Sequence, residues 1–102
     1  MSIYLHKHDL PDRLSLGPIV AIDTETMGLN LQRDRLCLVQ LSAGDGNAHL
    51  VQIAADQKPC PNLAHLLADS SCEKLFHFGR FDIAMLKQHI GPLYGPIFCS
   101  KI

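Results

Sequence analysis

The chain has 102 residues, 47% of them hydrophobic and 19% charged, with nine Lys and Arg against ten Asp and Glu and a formal net charge of −1. Such a length admits one folded domain and no second, and such a composition excludes disorder and a broad basic face for gripping polyanions. No apolar run approaches the ~20 residues that span a bilayer, and the stretch from Met1 to Asp9 lacks the apolar core of a secretory signal, so a cytoplasmic protein with no membrane partner is expected. Cys37, Cys60, Cys72 and Cys99 are far apart and form no CxxC pair, which points to reduced, mostly buried thiols.

In chain order, Ile3 to Leu5 reads as an edge strand. His6 and His8 make an HxH pattern that zinc sometimes uses, but beside Lys7 and Asp9 a solvated arm is the expected state. Gly17-Pro18 leads into Ile19-Val20-Ala21-Ile22, a short β-branched run predicted to be a strand buried on both faces, which continues into Asp23-Thr24-Glu25. Residues 35–42 and 47–53 are two further strand-like runs, joined by a Gly/Asp/Asn cluster that signals a hairpin. Pro59-Cys60-Pro61-Asn62 opens a helix carrying Leu63, Leu66 and Leu67, ending near Ser70-Ser71. Residues 74–78 read as a strand, Gly79 as the turn, and Arg80 to His89 as a helix stopped by Gly91-Pro92. Ile97-Phe98-Cys99 starts a last strand. The order predicts an α/β domain with a mixed sheet and flanking helices. No helix follows that last strand, so the sheet is expected to belong to a domain truncated at the C-terminus.

Two acidic clusters stand out. Asp23 and Glu25 lie two positions apart on one strand, so their side chains leave the same face with Cα atoms ~6.6 Å apart. Carboxylates on an apolar strand need a basic partner or a metal, and Arg33 and Arg35 are the nearest candidates for the former. Asp82 sits in the first turn of the later helix, where a carboxylate gains ~0.3–1 kcal/mol from the helix dipole without any further role. Both clusters nonetheless fall at strand ends, where α/β sheets assemble their sites.

The stretch from Ile19 through Asp23-Thr24-Glu25-Thr26-Met27-Gly28-Leu29, the strand Arg35 to Leu41, and the stretch Phe76-His77-Phe78-Gly79-Arg80-Phe81-Asp82 through Leu86 together resemble the DEDD superfamily of 3′–5′ exonucleases, and within it ribonuclease D. The likeness spans residues 19–90. Phe78 departs from the small or amide residue common after that histidine, which bears on substrate contacts and not on metal ligands. The resemblance implies a ribonuclease H-like fold in which four carboxylates hold two divalent ions, Mg²⁺ or Mn²⁺. Asp23 would bridge both ions, Glu25 would bind the water-activating one, and Asp82 would support the second. Thr24, Met27, Gly28, Leu29, His77 and Arg80 would meet the substrate, with Met27 and Leu29 against the terminal base. Lys74 and Lys87 are expected to be solvated charges.

The family's third motif supplies a fourth aspartate preceded four residues earlier by Tyr or His, and after Asp82 this sequence has no Asp or Glu. Residues 1–102 therefore read as the N-terminal part of a single 3′–5′ exonuclease domain with three of four ligands, acting on nucleic acid, RNA 3′ ends first, and inactive alone. A DNA exonuclease and a non-catalytic nucleic-acid-binding or interaction module are the alternatives. Oligomeric state is not legible.

Overall fold

The computed structural model describes residues 2–27, 35–56, 59–77 and 79–100. In chain order the elements are β1 (Ser2–Lys7), β2 (Ile19–Thr26), β3 (Leu36–Ser42), β4 (Asn47–Gln52), α1 (Pro61–Ala68), β5 (Glu73–His77), α2 (Arg80–His89) and β6 (Ile97–Ser100). They build one mixed six-stranded sheet in the order β1-β4-β3-β2-β5-β6. β3 runs antiparallel to both its neighbours while β1–β4, β2–β5 and β5–β6 pair in parallel, so the C-terminal ends of five strands share one edge.

Strand alternation sorts the residues onto two unlike faces. Val20 and Ile22 of β2, Val39 and Leu41 of β3, Val51 of β4 and Phe76 of β5 are buried in one cluster with Leu63 and Leu67 of α1 and Met85 and Leu86 of α2, which puts both helices on that face. Each such aliphatic or aromatic side chain contributes ~1.5–3 kcal/mol on burial. The opposite face leaves Ile3, Leu5, Ile19 and Phe98 exposed. The expectation that β2 is buried on both faces is therefore corrected: Ile19, Ala21, Asp23 and Glu25 are exposed, because among the described residues both helices pack on the other side. β2 also runs further than its apolar stretch, taking Asp23 and Glu25 into the sheet itself.

α1 is capped from a distance. Cys60 at its N-cap gives no capping bond to the helix, its thiol donating to the His8 carbonyl, and Asp9, beyond β1, accepts from the backbone N–H groups of Asn62 (2.9 Å) and Leu63 (2.8 Å) instead. A carboxylate there satisfies orphan donors and complements the dipole. Asn62 Nδ2 returns a bond to the Leu10 carbonyl (2.8 Å), tying the 8–18 connection to the helix.

Three expectations about single side chains need correction. Lys74 is no solvated charge: it is 0% exposed, and its ammonium donates to the carbonyls of Asp69 (2.5 Å) and Tyr94 (2.6 Å). It occupies a helix-facing position of β5, and its long stem reaches past the core to the end of α1. His6 is no free arm, since its Nε2 lies 3.0 Å from His49 Nδ1 and the rings of Tyr4 and His6 both stack on His49. Of the cysteines, which form no disulfide, Cys60 and Cys72 are buried while Cys99 is exposed. No helix among the described residues is long and apolar enough to cross a membrane.

Candidate metal centre at the sheet edge

Register places the acidic residues in two transverse rows on the uncovered face. Asp23 pairs with Gln40, which pairs with Leu50, which pairs with Leu5. Glu25 pairs with Leu38, then Gln52, then Lys7 at the sheet margin. A shift in register between Glu25 and Thr26 ends the regular pairing just after the second carboxylate, a common device for redirecting side chains beside a site. Spanning β2 on this face, a hollow of about 350 Å³ lies between Asp23, Gln40, Ser42, His77 and Ser100, with Ala21 and Leu75 also lining it. His77 stands on this face with its Nδ1 2.8 Å from Ser100 Oγ, so it is a surface residue and not a core one.

Asp82 reaches the same neighbourhood from the opposite side. It lies in the first turn of α2, 9% exposed, and accepts a hydrogen bond from Thr24 Oγ1. Burial is the main cause that pushes its carboxyl above the ordinary range; the Thr24 bond opposes this, and the charges of Asp23 and Glu25 add to it. The backbone N–H of Thr24 donates to Asp23 Oδ1 at 2.9 Å.

No base neutralises this group among the described residues. Arg35 turns away, donating to the carbonyls of Ile53 (3.2 Å) and Leu36 (3.5 Å), and Arg33 lies outside the described residues. Asp23, Glu25 and Asp82, without a cationic partner among the described residues, offer hard oxygen donors suited to Mg²⁺ or Mn²⁺, so their donor chemistry suits such an ion. They are not drawn together into a closed cage: among the described residues no three His, Cys, Asp or Glu side chains gather closely enough to hold a metal. Asp23 and Glu25 occupy one face of β2, and Asp82 is held on the other through Thr24.

The remaining residues expected at the site divide. Met27 is 68% exposed just beyond β2, with its N–H bonded to the Arg35 carbonyl (3.0 Å). Arg80 is exposed at the start of α2, and Lys87 is exposed along it. Gly28, Leu29 and Phe78 lie outside the described residues. His6 and His8 are on β1 and just after it, three strands from β2 in the sheet order. Sequence reasoning missed Gln40, which only strand register brings beside Asp23.

Residues 7–102 match the sequence family described as 3′–5′ exonuclease. Ribonuclease D of Acidiphilium cryptum is 31% identical over 93 residues, which are 91% of this chain and 24% of that protein. Among solved structures, Brucella melitensis NrnC with bound Mg²⁺ superposes with a TM-score of 0.91 at 54% identity, covering 97% of this chain and 50% of that one. Escherichia coli RNase D superposes with a TM-score of 0.64 at 27% identity, over 80% of this chain and 21% of that one. The chain thus spans about half the length of NrnC and about a quarter of the ribonuclease D it matches. With its mixed sheet, the helices α1 and α2 on one face and its acidic strand end, the chain has the ribonuclease H-like exonuclease fold and belongs to the 3′–5′ exonuclease family.

Proposed function

We propose that this chain is the N-terminal part of a metal-dependent 3′–5′ exoribonuclease domain, with Asp23, Glu25 and Asp82 as three of its metal-holding carboxylates. The observation that carries the reading is the placement of Asp23 and Glu25 at the end of β2 and of Asp82 in the first turn of α2, tied to β2 through Thr24, with no basic partner among the described residues. Two bound divalent ions would supply Lewis-acid stabilisation of the attacking and leaving oxygens in an in-line phosphodiester displacement.

The chain's own residues divide the remaining work. Asp23 and Glu25 present oxygen donors on the open face, and the absence of a basic partner among the described residues keeps them available to cations. Met27, exposed beside them, offers an apolar surface to a terminal base. His77 on β5 and Arg80 at the start of α2 are the candidates to meet phosphate or sugar oxygens. Brucella melitensis NrnC, at 54% identity, has been solved bound to pGG, which supports a nucleic-acid ligand for this chain, RNA 3′ ends being the substrate proposed. The fourth carboxylate and the Tyr or His that orients water in this family have no counterpart after Asp82, so residues 1–102 by themselves are expected to be inactive.

The test is degradation of end-labelled RNA and DNA by the full-length protein and by residues 1–102. The full-length protein should release nucleotides singly from the 3′ end of RNA and stop on EDTA addition. Asp23→Ala, Glu25→Ala and Asp82→Ala should each slow it about a thousandfold, equivalent to ~4 kcal/mol of lost transition-state stabilisation. Full activity in Asp23→Ala, or cuts inside the strand, would refute the mechanism. Preference for DNA ends would move the substrate, and binding without turnover in the full-length protein would make this a non-catalytic module.

A further inference from the structure

Along β2 every second side chain enters the core, and the series Val20, Ile22, Thr24 places a hydroxyl where the pattern asks for another aliphatic group. Valine would fill that volume equally well, so the distinguishing property of Thr24 is its donor. That donor goes to Asp82 Oδ1, 58 residues away in sequence and across the boundary between sheet and helix. Among the described residues Thr24 is the one side chain that donates to this carboxyl. Its β-branched frame restricts χ1, which fixes the direction in which the hydroxyl points. Asp82 otherwise hangs from the first turn of a helix that has no side-chain cap.

We infer that Thr24 is a positioning residue for Asp82: its hydroxyl holds one carboxylate oxygen and leaves the other to face a divalent cation. This rests on the reading of Asp82 as a cation ligand. It also moves Thr24 away from the substrate contact that the family resemblance implies, because its side chain is buried on the helix side while Asp23 and Glu25 face outward.

The experiment is Mn²⁺ titration of the full-length protein, followed by electron paramagnetic resonance of free Mn²⁺, on variants whose folding is verified by circular dichroism. Loss of a hydrogen-bonding partner behind a ligand typically costs 10–100-fold in metal affinity. Thr24→Val should therefore bind Mn²⁺ at least tenfold more weakly, Thr24→Ser should recover affinity to within about threefold, and Thr24→Val should have no added effect in an Asp82→Asn background. At saturating Mn²⁺ the KM for RNA should be unchanged in Thr24→Val. Wild-type Mn²⁺ affinity in Thr24→Val, alongside its loss in Asp82→Ala, would overturn the positioning role and leave the ligand assignment standing. A raised KM at saturating Mn²⁺ would return Thr24 to the substrate. Wild-type affinity in Asp82→Ala would instead remove Asp82 from the metal site altogether. Should Thr24→Val not fold, the comparison of Thr24→Ala with Thr24→Ser decides the same question.

Discussion

Lys74 and His6 each carry a chemistry that their sequence surroundings conceal. A lysine flanked by Glu73 and Leu75 reads as a surface charge; only the pairing of β5 between β2 and β6 turns it inward, where two backbone carbonyls accept its hydrogen bonds. His6 looks like part of a solvated HxH until β4 brings His49 alongside. Asp23, Glu25 and Asp82 could be singled out as candidates for the converse reason, since the motifs that carry the family resemblance are short and need no knowledge of the sheet. Within the sheet, burial first and then the neighbouring His49 push the His6 imidazole below its ordinary 6.5. A base whose folded pKa is depressed contributes stability that is complete above its unfolded value and is lost as pH falls through the folded one. Protection of the β1 amides from hydrogen exchange, corrected for intrinsic rates, should therefore decline as pH falls from about 7.5 to below 6, and His6→Phe should flatten that decline. Unchanged protection in the wild type across that range would show that the pair does not secure the strand.

At the level of elements, α2 was legible to the residue because Gly79 and Gly91-Pro92 bracket an apolar helical pattern. β1 and β2 were not, because polar residues at their exposed positions hide strand propensity once one face is uncovered; each runs several residues beyond its apolar stretch. The join between β5 and α2 is the tightest in the molecule's site. A Cβ added at Gly79 would stand 2.3 Å from Phe76 Cβ and 3.2 Å from Cys99 Sγ, and Phe76 Cβ is fixed directly to a strand backbone. Gly79→Ala must therefore shift the start of α2 and with it Asp82. The expected outcome is destabilisation of ~1–3 kcal/mol in urea unfolding, in the usual range for overpacking, together with at least tenfold weaker Mn²⁺ binding. A variant as stable as wild type would mean that the helix start yields without cost.

For the whole molecule, the uncovered face is the dominant physical fact. Ile3, Leu5, Ile19 and Phe98 stand exposed on three strands of one sheet surface, Phe98 at 62%. Large apolar side chains exposed on one sheet face favour association in water. Residues 1–102 in isolation should self-associate at micromolar concentration and bind a hydrophobic dye, and Leu5→Ser with Phe98→Ser should weaken the association at least tenfold by sedimentation velocity. A wild-type monomer with a cooperative transition and no dye binding would show that this face tolerates water. The mixed-sheet class was legible from the order of elements, whereas which face the helices cover was not, since helix and strand patterns alone do not reveal the side on which α1 and α2 pack.

The pairing of β1 with β4 also sets a timetable for synthesis. β1 leaves the ribosome before every other strand, yet its parallel partner follows 45 residues later. At ~5–20 residues per second that interval is roughly 2–9 s, during which Ile3, Tyr4 and Leu5 are present without the backbone partners that later cover them. The hairpin of β3 and β4 closes on itself within microseconds once made, so β1 joins only after β4 has emerged, while β5 and β6 follow later still. Codon choice or a nascent-chain chaperone acting before residue 52 would thus govern how much of this chain reaches its native sheet.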